Sequence, residues 1–279
     1  METLLNVLKE SLKVSLFVLI MMIIVDYINV KTKGKLDSIL KGGKKWKQYI
    51  VASLLGVAPG CLGSFAGVSL YIHGMISFGA LTGLMMATAG DEQFIMLAMF
   101  PKTALIMFAI LFLLGIFAGY FTDYLIKKFN IKTCTDCEIK QYHPDEKGYK
   151  HYFQEHIWSH IIKGHLIKIF LWTFGALLII EYGMSLVDLR NITTEYTFGI
   201  LLLSALIGII PESGPHLIFV MLFAKGLIPF SVLFTSSVVQ DGHGLLPMLS
   251  YSFKDSLRIK IFNLFFGLTI GILIYLVGY

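Results

Sequence analysis

Arginine is nearly absent from this chain: Arg190 and Arg258 are the only two among 279 residues. Sites that grip phosphate draw on the planar, bidentate guanidinium, so a sequence this poor in arginine argues against phosphate chemistry. No phosphate-cradling GxxxxGK[ST] string occurs, which leaves the chain without a nucleotide-driven motor of its own. Charge of either sign is scarce at 15% of residues, and there are three cysteines. What fills the gap is apolar: 56% of residues are hydrophobic and the mean hydropathy is +0.74, outside the range of a water-soluble domain.

The apolar residues fall into runs near 11–29, 48–58, 62–73, 76–90, 102–125, 165–182, 197–210, 214–225, 228–240 and 258–278. Within the first, the apolar stretch from Val14 to Val25, extended to Ile28, is followed by no small-residue cleavage site but by Asp26 and a lysine-rich stretch, so it reads as a retained span. Several runs are shorter than the ~20 residues that cross the hydrocarbon as a helix. Breaks at Pro59, Gly60, Pro211, Gly214 and Pro215 suggest half-helices or re-entrant hairpins, which membranes tolerate only where protein or a water cavity satisfies the freed backbone groups.

The two halves repeat one another. Leu54–Leu105 aligns without a gap on Leu206–Leu257, an offset of 152, matching Gly56 with Gly208, Pro59 with Pro211, Gly74 with Gly226, Phe78 with Phe230, Gly90 with Gly242 and Lys102 with Lys254. PGCLGS falls on PESGPH and ATAGDE on VQDGHG. The first and sixth runs also correspond, with Lys13 on Lys168 and Asp26, Tyr27 on Glu181, Tyr182. Five spans per half is an odd number, so the second half enters from the opposite side. The expected fold is an all-α integral membrane protein of about ten transmembrane segments in two inverted five-span repeats with broken or re-entrant helices. The expected division is a first membrane repeat over 1–126, a Cys/His-containing loop over 127–164 and a second membrane repeat over 165–279.

Lysine placement orients it. Lys31–Lys47 holds seven lysines and one acid and Lys127–His165 seven more lysines, whereas Glu181–Glu195 has three acids and Arg190. Basic loops stay cytoplasmic, so the loops after spans one, five and nine lie inside, the last with Lys254, Arg258 and Lys260, and both termini lie outside. The net charge of +5 therefore reports topology rather than a nucleic-acid partner.

The polar residues in apolar surroundings are Cys61, Ser64, His73, Thr88, Asp91 and Glu92 in the first copy and Glu212, Ser213, His216, Gln240, Asp241 and His243 in the second. Ionisable groups at membrane depth are costly and mark a substrate or proton path. Carboxylates and imidazoles converging from two broken segments suit a divalent transition metal, with Cys61 able to add a softer ligand. The competing reading caps helix ends at the interface with Asp91, Glu92, Asp241 and His243. His73 pairs with Lys225 in the repeat, and both precede a glycine, which places that position at a span end facing headgroups. A second constellation lies in the loop: Cys134 and Cys137 in CTDC, with His156 and His160 four apart on one helix face. It reads equally as an auxiliary metal site and as an interface-lying amphipathic helix.

The strings GVAPGCLGSFAGVSLYIHG, SFGALTGLMMATAGDEQFIMLAMFPKTAL, EHIWSHIIKGHLIKIFLWTFGALLIIE and IGIIPESGPHLIFVMLFAKGLIPFSVLFTSSVVQDGHGLLPMLSYS resemble the ten-span heavy-metal exporter family of prokaryotes. Members of that family are labelled arsenic efflux proteins or manganese transporters. The resemblance implies a multi-pass protein of the prokaryotic inner membrane that moves a metal ion or metalloid, and it brings no assigned site residues. Trivalent arsenic prefers three thiolates, and only Cys61 lies in the repeats, so a divalent cation, manganese first, is favoured over arsenite, with proton coupling through carboxylates. Inverted repeats also occur in intramembrane enzymes acting on lipid phosphates, a reading that the paucity of arginine disfavours. The expected partners are the transported ion and the bilayer, with no resident cofactor and no nucleic acid; the sequence leaves homo-oligomerisation open.

Overall fold

The computed structural model describes residues 4–9, 11–12, 15–16, 19–20, 23, 45–60, 62–90, 92–133, 167, 170–171, 174–175, 178, 196–212, 215–224 and 226–278. Among the described residues every regular element is helical. The helices are α1 (Lys45–Gly56), α2 (Leu62–Ile72), α3 (Phe78–Ala87), α4 (Glu92–Met99), α5 (Pro101–Lys128), α6 (Thr197–Gly208), α7 (Leu217–Ala224), α8 (Phe230–Val239), α9 (Leu245–Tyr251) and α10 (Phe253–Leu276), with a 3₁₀ turn at Gly242–Gly244. Residues 4–9, 11–12, 15–16, 19–20 and 23, and 167, 170–171, 174–175 and 178, are helical as well.

Among the described residues, only α5 and α10, of 28 and 24 residues, are long and apolar enough to cross a membrane unaided. At about 1.5 Å per residue α5 reaches roughly 42 Å, whereas the ten-residue α3 and α8 reach about 15 Å. These two short helices are the innermost: every residue of α3 is buried, as is every residue of α8 after Phe230. α1 and α5 flank α3, and α6 and α10 flank α8. The outer faces of α5 and α10 carry exposed Leu105, Leu113, Phe117, Ile261, Phe265 and Leu273, an apolar jacket that suits lipid and not water.

Close approach of these helices depends on small residues. A Cβ added at Gly83 would collide with the Gly115 carbonyl oxygen, and one at Gly79 with that of Gly119, so two glycine pairs spaced four apart let the α3 and α5 backbones touch. The second half seats Thr235 and Ser231 of α8 against Gly267 and Gly271 of α10, at the same positions plus 152. Helix ends are fastened by side chains. Asp123 of α5 accepts from the Gly79 amide at 2.8 Å and from the Tyr49 hydroxyl at 2.9 Å, and Ser77 caps α3. Ser252 caps α10 by accepting from the Asp255 amide.

Helix boundaries recur at the same offset. α1 and α6 begin and end 152 residues apart, as do α3 and α8, while α5 and α10 begin 152 apart. Gly90 and Gly242, also 152 apart, both take the left-handed backbone, at φ 58° and 51°, which favours glycine. Contacts between the halves are reciprocal: α2 packs on α9 and α4 on α7, and α3 meets α8.

Three readings from sequence are corrected. α4 and α9 lie in stretches assigned to no span; at eight and seven residues each is too short to show its own periodicity. The last span begins at Phe253, so Lys260 is not in a loop but inside α10 and is buried, its amine bonded internally. His73 does follow α2, yet its ring is buried and its Nδ1 lies 2.8 Å from the Ser69 carbonyl, folded onto its own helix rather than toward headgroups. The Cys134, Cys137, His156 and His160 loop lies outside the described residues.

Candidate functional site

Each half interrupts its helices twice, and the interruptions collect the polar residues. In the first half α1 gives way to α2 over 57–61, with Pro59 exposed and Gly60 buried at φ 94°. α3 ends at Thr88, whose Oγ1 accepts from the Gly90 amide at 3.2 Å. The two breaks are tied by a backbone bond, Gly60 N donating to Gly90 O at 3.1 Å, and the Gln93 side chain also reaches the α1–α2 break, donating to Val57 O at 3.4 Å.

The second half replaces that tie with side chains. Glu212 follows Pro211 in the α6–α7 break, and His243 sits in the 3₁₀ turn after α8. Glu212 Oε1 and His243 Nε2 are 2.8 Å apart, with side chains 16% and 12% exposed. His216, in the turn leading into α7, is fully buried. Its Nε2 faces the Ile210 carbonyl and its Nδ1 the Ser236 hydroxyl, each at 3.3 Å. In the neutral ring Nε2–H donates to the carbonyl, leaving Nδ1 as the nitrogen with a lone pair.

Asp241 is in a different position. It has no solvent exposure, its Oδ2 is 2.5 Å from the Lys260 ammonium, and its Oδ1 accepts from Asn263 Nδ2. Lys260 also donates to the carbonyls of Gly208 at 2.7 Å and Val239 at 3.0 Å, the last residues of α6 and α8. Sequence reasoning enrolled Asp241 as a metal ligand, but both its oxygens are engaged with partners on α10. Lys260 and Asn263 escaped notice because a lysine close to Arg258 and Lys254 counts as loop charge. The available signal was the string IKIFN, a lysine and an asparagine three apart within an apolar helix.

The halves meet at these breaks. Gln240 Nε2 donates to Ala89 O at 3.3 Å, linking the end of α8 to the first half's turn. Ser64, buried on α2, lies against Gly244 so closely that a Cβ there would meet the serine side chain at 2.5 Å. Glu92 is buried in the first turn of α4. Cys61, Asp91, Ser213 and Gly214 fall outside the described residues. Among the described residues no group of three or more His, Cys, Asp or Glu stands close enough to hold a metal ion. The structure thus brings Glu212 and His243 together, with His216 sharing the Glu212 break, and sets Asp241 in a separate, charge-balanced cluster.

The chain matches the family described as "Putative, 10TM heavy-metal exporter" over residues 1–176 and 168–277. No curated protein and no solved structure matches it. The two matched segments run through both sets of helix breaks and almost the whole sequence, and the chain belongs to this family of multi-pass membrane proteins.

Proposed function

We propose that the protein exports a divalent transition metal, manganese first, by alternating access of two inverted five-span halves. The observation that carries the reading is the Glu212–His243 pair, a carboxylate and an imidazole at 2.8 Å on two helix breaks, neither sealed from solvent. Oxygen and imidazole donors fit manganese and its neighbours better than they fit trivalent arsenic, which seeks thiolates. Glu212 neutralises part of the ion's charge and takes up a proton when the ion leaves, which couples export to protons. His216 and Ser213 share the Glu212 break, Ser64 lies beside the 3₁₀ turn, and Glu92 and Gln240 contribute from the start of α4 and the end of α8, with Cys61 and Asp91 assigned to the path from the sequence alone.

The repeat supports alternating access. Helix boundaries recurring at 152 residues and reciprocal contacts of α2 with α9 and α4 with α7 fit two like units packed about a shared pseudo-two-fold axis. The protein sits in the prokaryotic inner membrane with its lysine-rich loops inside and both termini outside, and the Cys134/Cys137 and His156/His160 loop collects metal for the membrane site.

The test is uptake of manganese, iron, cobalt, zinc and arsenite into inverted vesicles carrying the protein. Uptake of divalent ions that depends on Glu212 supports the reading. Arsenite uptake alone would transfer the function to metalloid efflux, and no uptake of any of the five would end the exporter reading.

A further inference from the structure

Lys260 presents an unusual arrangement for a buried lysine. Its ammonium lies within 3.0 Å of three oxygens: it donates to Gly208 O at 2.7 Å and Val239 O at 3.0 Å and forms an ion pair with Asp241 Oδ2 at 2.5 Å. Two of these are the final carbonyls of α6 and α8, where the helix dipoles end negative. Asn263, which donates to Asp241 Oδ1, keeps a buried Oδ1 without a hydrogen-bond partner. Three hard oxygens around one cation, one of them a carboxylate, are the donor set of a cation site, and one negative charge balances one positive charge.

The first half shows that the fold does not need this charge. At the positions 152 residues earlier stand Ala89 for Asp241, Phe108 for Lys260 and Leu111 for Asn263, all buried and apolar, and they close the corresponding junction of α1, α3 and α5. An ion pair was therefore built into one copy of a junction that packs without it in the other. A buried charge left alone is far more costly than the same site packed with hydrocarbon, so each member of the pair is retained only with its partner.

We propose that the junction of α6, α8 and α10 is a monovalent-cation site whose occupant is the tethered ammonium of Lys260, so that this protein holds its broken helices together without a bound alkali ion. Truncating Lys260 empties the cage while leaving its oxygens, and a lithium, sodium or potassium ion then takes the vacated place. A divalent ion would leave the cage with excess positive charge.

The experiment is thermal unfolding of the purified full-length protein in detergent, at constant ionic strength, in lithium, sodium, potassium or N-methylglucamine chloride. The unmodified protein is expected to melt at one temperature in all four salts. Lys260→Ala should melt lower in N-methylglucamine and regain about 5 °C, saturably, in at least one alkali chloride. Lys260→Ala combined with Asp241→Asn should show no alkali response. A Lys260→Ala protein that melts identically in all salts overturns the proposal, as does a response that persists in the double variant. Failure of Lys260→Ala to fold in every salt overturns it too, since no ion has then replaced the ammonium. The readout is stability and not transport, so the outcome is independent of which metal is exported.

Discussion

Glu212 Oε1 meets His243 Nε2 at 2.8 Å, joining the break that follows α6 to the turn that follows α8. In the first half Gly60 and Asp91 hold the corresponding positions, and a backbone bond from Gly60 to Gly90 makes the tie. The second half thus joins its two breaks through a carboxylate and an imidazole, groups that can bind metal or protons.

Glu212→Gln keeps the shape and removes the charge. We expect metal uptake into inverted vesicles to fall by more than the roughly 10–100-fold that losing an outer-shell partner of a metal site costs. His216→Ala should lower uptake less and shift preference toward manganese, since imidazole favours zinc, cobalt and nickel. Uptake at the unmodified rate by Glu212→Gln, at matched protein levels, would remove the pair from the transport path.

Asp241→Asn strands the Lys260 ammonium in a site without solvent. Breaking one side of a buried pair costs about 3–5 kcal/mol, so the single variant should be strongly destabilised, and Asp241→Asn with Lys260→Met should recover much of the loss. Differential scanning measurements on the two singles and the double decide this; additive effects would show that the 2.5 Å contact contributes no coupling.

Gly83→Ala adds a Cβ that meets the Gly115 carbonyl oxygen, so α3 must move away from α5. A loss of at least about 1–3 kcal/mol is expected. Gly199→Ala, whose new Cβ finds only Tyr196 Cβ at 3.4 Å, should be neutral or stabilising. Equal melting temperatures for the two variants would mean that the glycine contact does not set the helix spacing.

Single reporter cysteines in a cysteine-free background test the topology. One near Gly148 should react only from the cytoplasmic side and one near Asn191 only from outside. Finding both on the same side would dismiss the inverted arrangement.

Replacing Cys134 and Cys137 by serine should shift the metal concentration for half-maximal uptake while leaving uptake measurable. Complete loss in a folded double variant would move the principal site into the loop.

Much of the fold was legible because membrane sequence is written in long apolar runs. The runs at 48–58, 62–73, 76–90, 102–125 and 197–210 lie over α1, α2, α3, α5 and α6, and the prolines and glycines between them mark real interruptions. Pro59 and Pro211 cannot continue a helix, and Gly90 and Gly242 adopt a backbone most residues avoid. α4 and α9 were invisible because each is about two turns long and follows directly on a polar break.

The site was legible in its residue types but not in its pairings. Sequence alone determined that carboxylates and imidazoles cluster at repeated breaks in an apolar chain, because burial of such groups is too costly to be incidental. Only the tertiary structure decided which of them are available. Glu212 and His243 retain exposure and face each other, while Asp241 is committed to a lysine on α10, nineteen residues further along the chain. The charge of Lys260 looks the same in the sequence whether it faces headgroups or two helix ends. Its role is fixed by the oxygens that folding brings within 2.5–3.0 Å of it.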